Sequence, residues 1–262
     1  MSIGFLILRA QLFLLIFARI FGLLMVAPMF SSRNIPGIAR VGLGLFTAVA
    51  VLPWVEQAGY LIPEQGLFYA ALILGEAMIG VIMGFLLNVI YSAFQLAGQF
   101  FSLQMGFASS QVYDPLAQLQ LPLIGQFLNL IAMFVLLTVS GLQKIFLVGV
   151  YRSFETVTAL TFMEKRDYLI QTVMTSIGGL FGHALLIALP VMGTLFLASV
   201  SMGLLAKAAP QMNLLMLGFP INIFIAFLLM YICMPFIMES FGRIIDMGFV
   251  TLYELLAEGG GV

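Results

Sequence analysis

The chain has 262 residues, of which 63% are hydrophobic and only 8% charged, and its formal net charge is −1. Soluble globular domains carry about 25% charged residues, so a soluble fold is excluded and an all-helical integral membrane protein is expected. Nucleic acid is excluded as a partner, because Lys165-Arg166 is the only basic cluster and a phosphate backbone needs a broad basic footprint.

Apolar runs at about 3–30, 38–54, 66–103, 123–150, 169–206 and 211–238 predict the helices in chain order. In the first run Arg9 and Arg19 lie inside the apolar stretch, and no A-x-A site follows, so a cleaved leader is not expected. A central arginine in a membrane helix costs about 2.5–3.5 kcal/mol. Arg19, and Glu76 in the third run, are therefore expected to find internal partners, whereas Arg9 can snorkel toward a helix end. Asn34-Ile35-Pro36-Gly37 separates the first two runs, and Pro53 is expected to end the second. Ordinary insertion would place the loop carrying Glu56 and Glu64 on the non-cytoplasmic side, because the flanking basic residues lie elsewhere.

Pro63 to Gly66 opens the third run. This run and the fifth are nearly twice the ~20 residues of a straight span. Each predicts a helix pair, a kinked helix or one helix extending beyond the bilayer. Along the third run Asn88, Ser92, Gln95, Gln99, Ser102, Gly106 and Ser109 recur at alternating steps of four and three, which makes one face of one helix. Amides and hydroxyls in hydrocarbon need partners, so this polar stripe is either helix-to-helix glue or the lining of an aqueous path. Gly80-x-x-x-Gly84 and, later, Gly178-x-x-x-Gly182 are spacings that let helix backbones approach closely.

The stripe leads into Gln104 to Ser110 and then the Asp114-Pro115 break. Residues 102–118 are expected to be either an ordinary interhelical turn or a compliant closure with Met105 and Phe107 as its bulky members, since methionine fills irregular gaps. Arg152 to Asp167 is the one polar linker of any size and reads as the boundary between two halves. Beyond Met238, Glu239, Arg243, Asp246, Glu254 and Glu258 share one third of a helical wheel. Ile244, Ile245, Phe249, Leu252, Leu255 and Leu256 fill the rest, so an amphipathic helix is expected, followed by a loose glycine tail, 259–261.

The parts of an active site are missing from the sequence. Its one histidine, His183, has no nearby acid or cysteine and reads as a helix-packing residue, and the lone Cys233 as a buried thiol. Asp114, Asp167 and Asp246 lie at breaks or in the amphipathic segment, which does not suit an intramembrane aspartyl pair. Gly178-Gly179-Leu180-Phe181-Gly182 lacks the lysine of a phosphate loop. No enzyme activity, metal or cofactor is expected.

A set of short stretches occurs in a fixed order: Ala18-Arg19, Ala27-Pro28, Ile35-Pro36, Arg40-Val41 and Pro53, then Ala97-Gly98, Leu103-Gln104-Met105-Gly106 and Asp114-Pro115. Ala188-Leu189-Pro190, Ala208-Ala209-Pro210-Gln211 and Gly218-Phe219-Pro220 follow. Together, over about residues 5–256, they resemble the FliR family of the bacterial flagellar type III protein-export gate, which is related to the SctT-type subunit of injectisomes. Lys207 stands where arginine is common in that family, and Ser140-Gly141-Leu142 where Asn-Gly-His is frequent.

The resemblance implies a FliP-like part over 1–168, with a plug loop at about 102–118, and a FliQ-like helical hairpin over 169–262. It implies a non-catalytic subunit that completes and helps to close a protein-conducting channel in the bacterial cytoplasmic (inner) membrane, at the flagellar basal body. Implied partners are a hetero-oligomeric ring of FliP-like and FliQ-like subunits, FlhB-like and FlhA-like export components, exported unfolded flagellar proteins and membrane lipid. Much of such an assembly is raised out of the bilayer plane, which would set aside the basic-residue rule. In this frame Ser102, Met105, Gly106, Phe107, Asp114 and Pro115 belong to the plug, and Arg19, Glu76, Gly80 and Gly84 to subunit packing. Lys207, Pro210, Gln211 and Asn213 belong to a cytoplasmic tip. The alternatives are the equivalent injectisome subunit and a stand-alone solute permease, though no internal repeat of the permease kind is seen.

Overall fold

The computed structural model describes residues 3–32, 35–57, 60, 62–63, 65–106, 123–208 and 214–260, and the described residues are almost entirely helical. The helices are α1 (Ile3–Val26), α2 (Gly37–Gln57), α3 (Gly66–Gln104) and α4 (Leu123–Thr138). After α4 come a short α5 (Gly141–Lys144), a π-helical stretch (Ile145–Arg152), α6 (Ser153–Thr156), α7 (Ala159–Glu164), α8 (Arg166–Ala208) and α9 (Leu214–Gly260). Five of them are long and apolar enough to cross a membrane, six if the bent pair around Ser140 counts as one span. The all-α membrane fold expected from composition is what forms.

Several boundaries differ from the sequence reading. The runs near 66–103 and 169–206 each form one continuous helix, so neither is a helix pair. Pro53 does not end α2, which continues to Gln57, and α8 and α9 likewise carry Pro190, Pro220 and Pro235 inside them. Apolar packing outweighs the one hydrogen bond that each proline removes. The run near 123–150 is interrupted, because Ser140 adopts a left-handed conformation (φ 57°) between Thr138 and Gly141. The polar stretch 152–167 is helical for most of its length. Finally, the amphipathic segment is continuous with the run before it in a 47-residue helix that includes Gly259 and Gly260, so those glycines are not a loose tail.

The chain forms two compact units. One holds the described parts of residues 1–90, 140–177 and 246–262, and the other holds those of 91–139 and 178–245. In the first, α1 and the start of α3 run side by side in the same direction, with Tyr69 Oη donating to the Gln11 carbonyl at 2.9 Å. α2 runs back along α1, joined to it by Arg9–Glu56 at 3.4 Å. The end of α9 lays Phe249, Leu252, Leu255 and Leu256 into this unit's core. In the second unit Phe94 stacks on Phe241 with centroids 4.1 Å apart, and Tyr91 Oη donates to the Asn129 carbonyl at 2.8 Å.

Candidate functional site

The most completely buried polar cluster lies in the first unit. Arg19 and Glu76 are 1% and 0% exposed, and Arg19 Nε donates to Glu76 Oε2 at 2.5 Å. The internal partner that the sequence requires for each is the other. The remaining guanidinium edge donates to the carbonyls of Ser153 (2.6 Å) and Val157 (2.8 Å), with Ser153 Oγ at 3.2 Å. Those carbonyls belong to the single turn of α6 and its C-cap, the end of a helix that carries partial negative charge; the Ser153 carbonyl also accepts the Val157 N–H at 3.1 Å. The Phe154 ring lies beneath the guanidinium, 4.0 Å from its carbon to the ring centroid.

Glu76 is satisfied in a complementary way. Its Oε1 accepts from the Ala159 N–H at 3.2 Å, just where α7 begins, and from the Tyr60 hydroxyl. The break between α6 and α7 thus offers acceptors to the cation and a donor to the anion. Tyr60 stands between α2 and α3. Burial first, and the adjacent Glu76 carboxylate second, push its hydroxyl pKa well above the ordinary 10.0. Sequence reasoning missed Tyr60, Ser153, Phe154 and Val157, because a tyrosine in a connecting segment and a serine in a polar linker carry no periodic signal.

Glycines bring α1 and α3 together around this pair. A Cβ at Gly80 would run into the Arg19 carbonyl and lie 2.8 Å from the Leu23 nitrogen. One at Gly84 would lie 2.7 Å from the Leu23 oxygen, and one at Gly22 would meet the Ala77 carbonyl. Gly80 and Gly84 therefore pack inside this chain. At Gly178 and Gly182 a Cβ would meet nothing within 4 Å.

The polar stripe lies along the flank of the buried face of α3. Asn88, Ser92, Gln95 and Gln99 are half-buried, and Asn88 and Ser92 each have a partner. Ser102 is buried and turns its hydroxyl back to the Gly98 carbonyl at 2.9 Å. Met105 is fully buried. Gly106 closes α3 with φ +85°, a conformation glycine adopts without strain, and the Phe219 ring occupies the space a Cβ would need. Phe107, Asp114 and Pro115 lie outside the described residues. Of the tip residues, Lys207 is exposed in the last turn of α8, while Pro210, Gln211 and Asn213 lie outside the described residues.

Comparison with known proteins follows the same lines. The family described as Bacterial export proteins, family 1, matches residues 10–248. The flagellar biosynthetic protein FliR of Bacillus subtilis (strain 168) is 31% identical over 250 residues, covering 94% of each chain. FliR of Borreliella burgdorferi is 30% identical over 258 residues, with 98% of this chain and 94% of the relative covered. FliR of Escherichia coli (strain K12) is 25% identical over 244 residues, 92% and 90% of the two chains. With a family match and this identity spanning nearly its whole length, the chain belongs to the FliR family of bacterial export proteins.

Proposed function

We propose that this protein is a non-catalytic subunit of the bacterial flagellar type III protein-export gate, seated in the inner membrane at the basal body. The observation that carries this reading is end-to-end similarity to relatives named flagellar biosynthetic protein FliR, which also favours the flagellar system over an injectisome. The physics of the helices supports it. At 1.5 Å per residue α3, α8 and α9 are about 58, 64 and 70 Å long, against a hydrocarbon core of about 30 Å. Apolar surface that lipid cannot reach needs protein cover, and Met174, Phe181, Leu186, Phe196 and Leu204 of α8 are all exposed in the single chain. FliP-like and FliQ-like subunits in a ring are the proposed cover, with residues 1–168 and 169–262 as the FliP-like part and the FliQ-like hairpin.

In this reading the buried charge at Arg19 and Glu76 does structural work, holding α1, α3 and the α6–α7 break in one arrangement. Residues 102–118 form the closure of a channel that passes unfolded flagellar proteins. The described start of that segment is firmly seated by Met105 burial and by Phe219 against Gly106. Alanine at Met105 would open a cavity in the core, so the cleaner probe is deletion of 112–118. An assembled complex carrying that deletion should pass small ions that the parent complex retains. Unchanged conductance in a verified complex would remove the plug.

The tip at Lys207, Pro210, Gln211 and Asn213 faces the cytoplasm and meets FlhB-like and, beyond it, FlhA-like components. Crosslinking from a cysteine at Gln211 tests that contact, and labelling of the tip from the periplasmic side would overturn it. The main test is co-purification in mild detergent. The tagged chain should bring down FliP-like and FliQ-like subunits, and a strain lacking it should be non-flagellate. A chain that purifies alone, stable and competent in solute uptake, would be a permease instead.

A further inference from the structure

Residues 178–245, the middle of the α8–α9 hairpin, share a compact unit with the end of α3. α8 carries Pro190 inside it, and α9 carries Pro220 near its start and Pro235 deeper in. Pro190 and Pro235 have no N–H to offer the carbonyls four residues earlier, at Leu186 and Tyr231. In α8 the next turn is weak for two further reasons. Gly193 has open space where a Cβ would stand, so packing does not hold its backbone, and a helical glycine loosens it. Thr194 Oγ1 donates to the Pro190 carbonyl at 2.8 Å, a back-bond of the kind that bends helices.

The two prolines also share a level. Gly218 faces Met202, and Asn222 Nδ2 donates to Ser199 Oγ at 3.3 Å, which sets the antiparallel register of the hairpin. Pro190 stands nine residues before Ser199, and Tyr231 nine after Asn222. Pro190 is therefore level with the carbonyl that Pro235 leaves free. A hairpin weakened in one helix is splinted by the other; one weakened in both at the same level can bend there as a unit.

The arm beyond that level, residues 191–208 and 214–234, carries Phe219. Its ring fills the place of a Cβ on Gly106, with Cδ1 2.5 Å from that position. There the Met105 N–H donates to the Phe101 carbonyl at 2.9 Å and the Gly106 N–H to the Leu103 carbonyl at 3.1 Å, closing the end of α3. Phe219 is about 18 Å along the helix from Tyr231, so a change of about 20° at the prolines would carry the ring about 6 Å. That is enough to lift it off Gly106.

We infer that Pro190 and Pro235 form a paired hinge, on which the outer arm of the hairpin swings to seat and release the end of α3 through Phe219. The inference deepens the export-gate reading and rests on its closure, which begins where Phe219 holds the chain.

Hydrogen exchange in the co-purified complex reads the seat without using export. Phe219→Ala should speed exchange of the amides at 103–106 roughly tenfold, by freeing local opening. A Pro190→Ala, Pro235→Ala chain should slow the same amides by a similar factor, while α4 exchanges as in the parent. Removing two helix breakers should leave its melting at or above that of the parent, yet secretion of flagellar proteins should fall roughly tenfold. A residue that serves only packing would not lower secretion while keeping stability. Parent-like exchange at 103–106 in either variant overturns the inference, and so does slowing spread equally over α4. Lower melting of the double alanine chain means that the prolines serve packing, and unchanged secretion means that the gate does not use the hinge; either result overturns it. If a strain lacking this chain stays flagellate, the export-gate reading fails by itself, and the exchange data still decide whether the hinge exists.

Discussion

Removing an arginine and a glutamate from water costs several kcal/mol per ion, and their attraction offsets it only when the other donors and acceptors are also satisfied. Arg19 and Glu76 meet that condition through Ser153, Val157, Ala159 and Tyr60. Arg19→Ala should therefore destabilise the chain by about 3–5 kcal/mol, the cost of an uncompensated buried charge. All of these partners belong to this chain, so the loss should appear in thermal unfolding of the purified subunit and not only in recovery of the complex. Arg19→Lys should recover little, because an ammonium cannot reproduce the fork. Wild-type melting of Arg19→Ala would refute the buried-pair account. Tyr60 gives a pH test. Its folded pKa is raised, so between pH 10 and that raised value the unfolded state loses a proton that the folded state keeps, and stability falls as pH rises. The contribution is intact below pH 10. Tyr60→Phe should make melting between pH 10 and 11 less steeply pH-dependent than in the parent chain, and an unaltered slope would show that Tyr60 is solvated. The need for a partner at Arg19 and Glu76 is legible in the sequence because charge among apolar residues is conspicuous. The identity of the other partners is not, since carbonyls at a helix end depend on where that helix stops.

Two glycine pairs of the same spacing show how far an element can be read from its residues. Gly80 and Gly84 lie where the backbone of α1 touches α3, while Gly178 and Gly182 face open space. Gly80→Ala should cost about 1–3 kcal/mol by overpacking, since its Cβ meets backbone atoms that cannot step aside. Gly178→Ala should leave the isolated chain unchanged or raise its stability by up to about 1 kcal/mol, the helix propensity gained. If that face of α8 receives a partner subunit, the same substitution should lower co-purification while melting is unaffected. Equal effects of the two substitutions on melting would contradict the seam. Spacing alone identifies a surface that permits close approach, and only the fold says which surface is used within the chain. The long helices were legible from unbroken apolar runs, and so was the amphipathic end of α9, whose wheel separates Leu252 and Leu255 from Glu254 and Glu258. The bounds were harder. Pro53 and the glycines at 259 and 260 weaken a helix locally, and tertiary packing overrides both.

At the scale of the molecule, residues far apart in sequence share a compact unit, and no composition shift announces it. The last residues of α9 belong with α1, α2 and the 140–177 stretch. The polar boundary near residue 168 does not govern which residues pack together, because α3, α8 and α9 each contribute to both units. The consequence concerns the C-terminus. Phe249, Leu252, Leu255 and Leu256 are buried, Lys144 Nζ meets Asp246 Oδ1 at 2.5 Å, and Lys165 donates to the Glu258 carbonyl. Gly248 lies so close to Ile90 that a Cβ there would collide with its Cδ1. Truncating one buried leucine to alanine costs about 2–5 kcal/mol, and a domain has only about 5–15 kcal/mol in total. A chain ending at Ile245 loses three buried leucines and a phenylalanine at once, and should not be recovered as folded protein. Leu252→Ala and Leu255→Ala should each lower the melting temperature without abolishing folding, while Glu254→Gln, at an exposed position, should leave it unchanged. The exposed ion pair of Lys144 and Asp246 should add less than about 1 kcal/mol, so Asp246→Asn serves as the control for charge against packing. If the chain ending at Ile245 melted like the full chain, the terminal segment would be an accessory and not a part of the core.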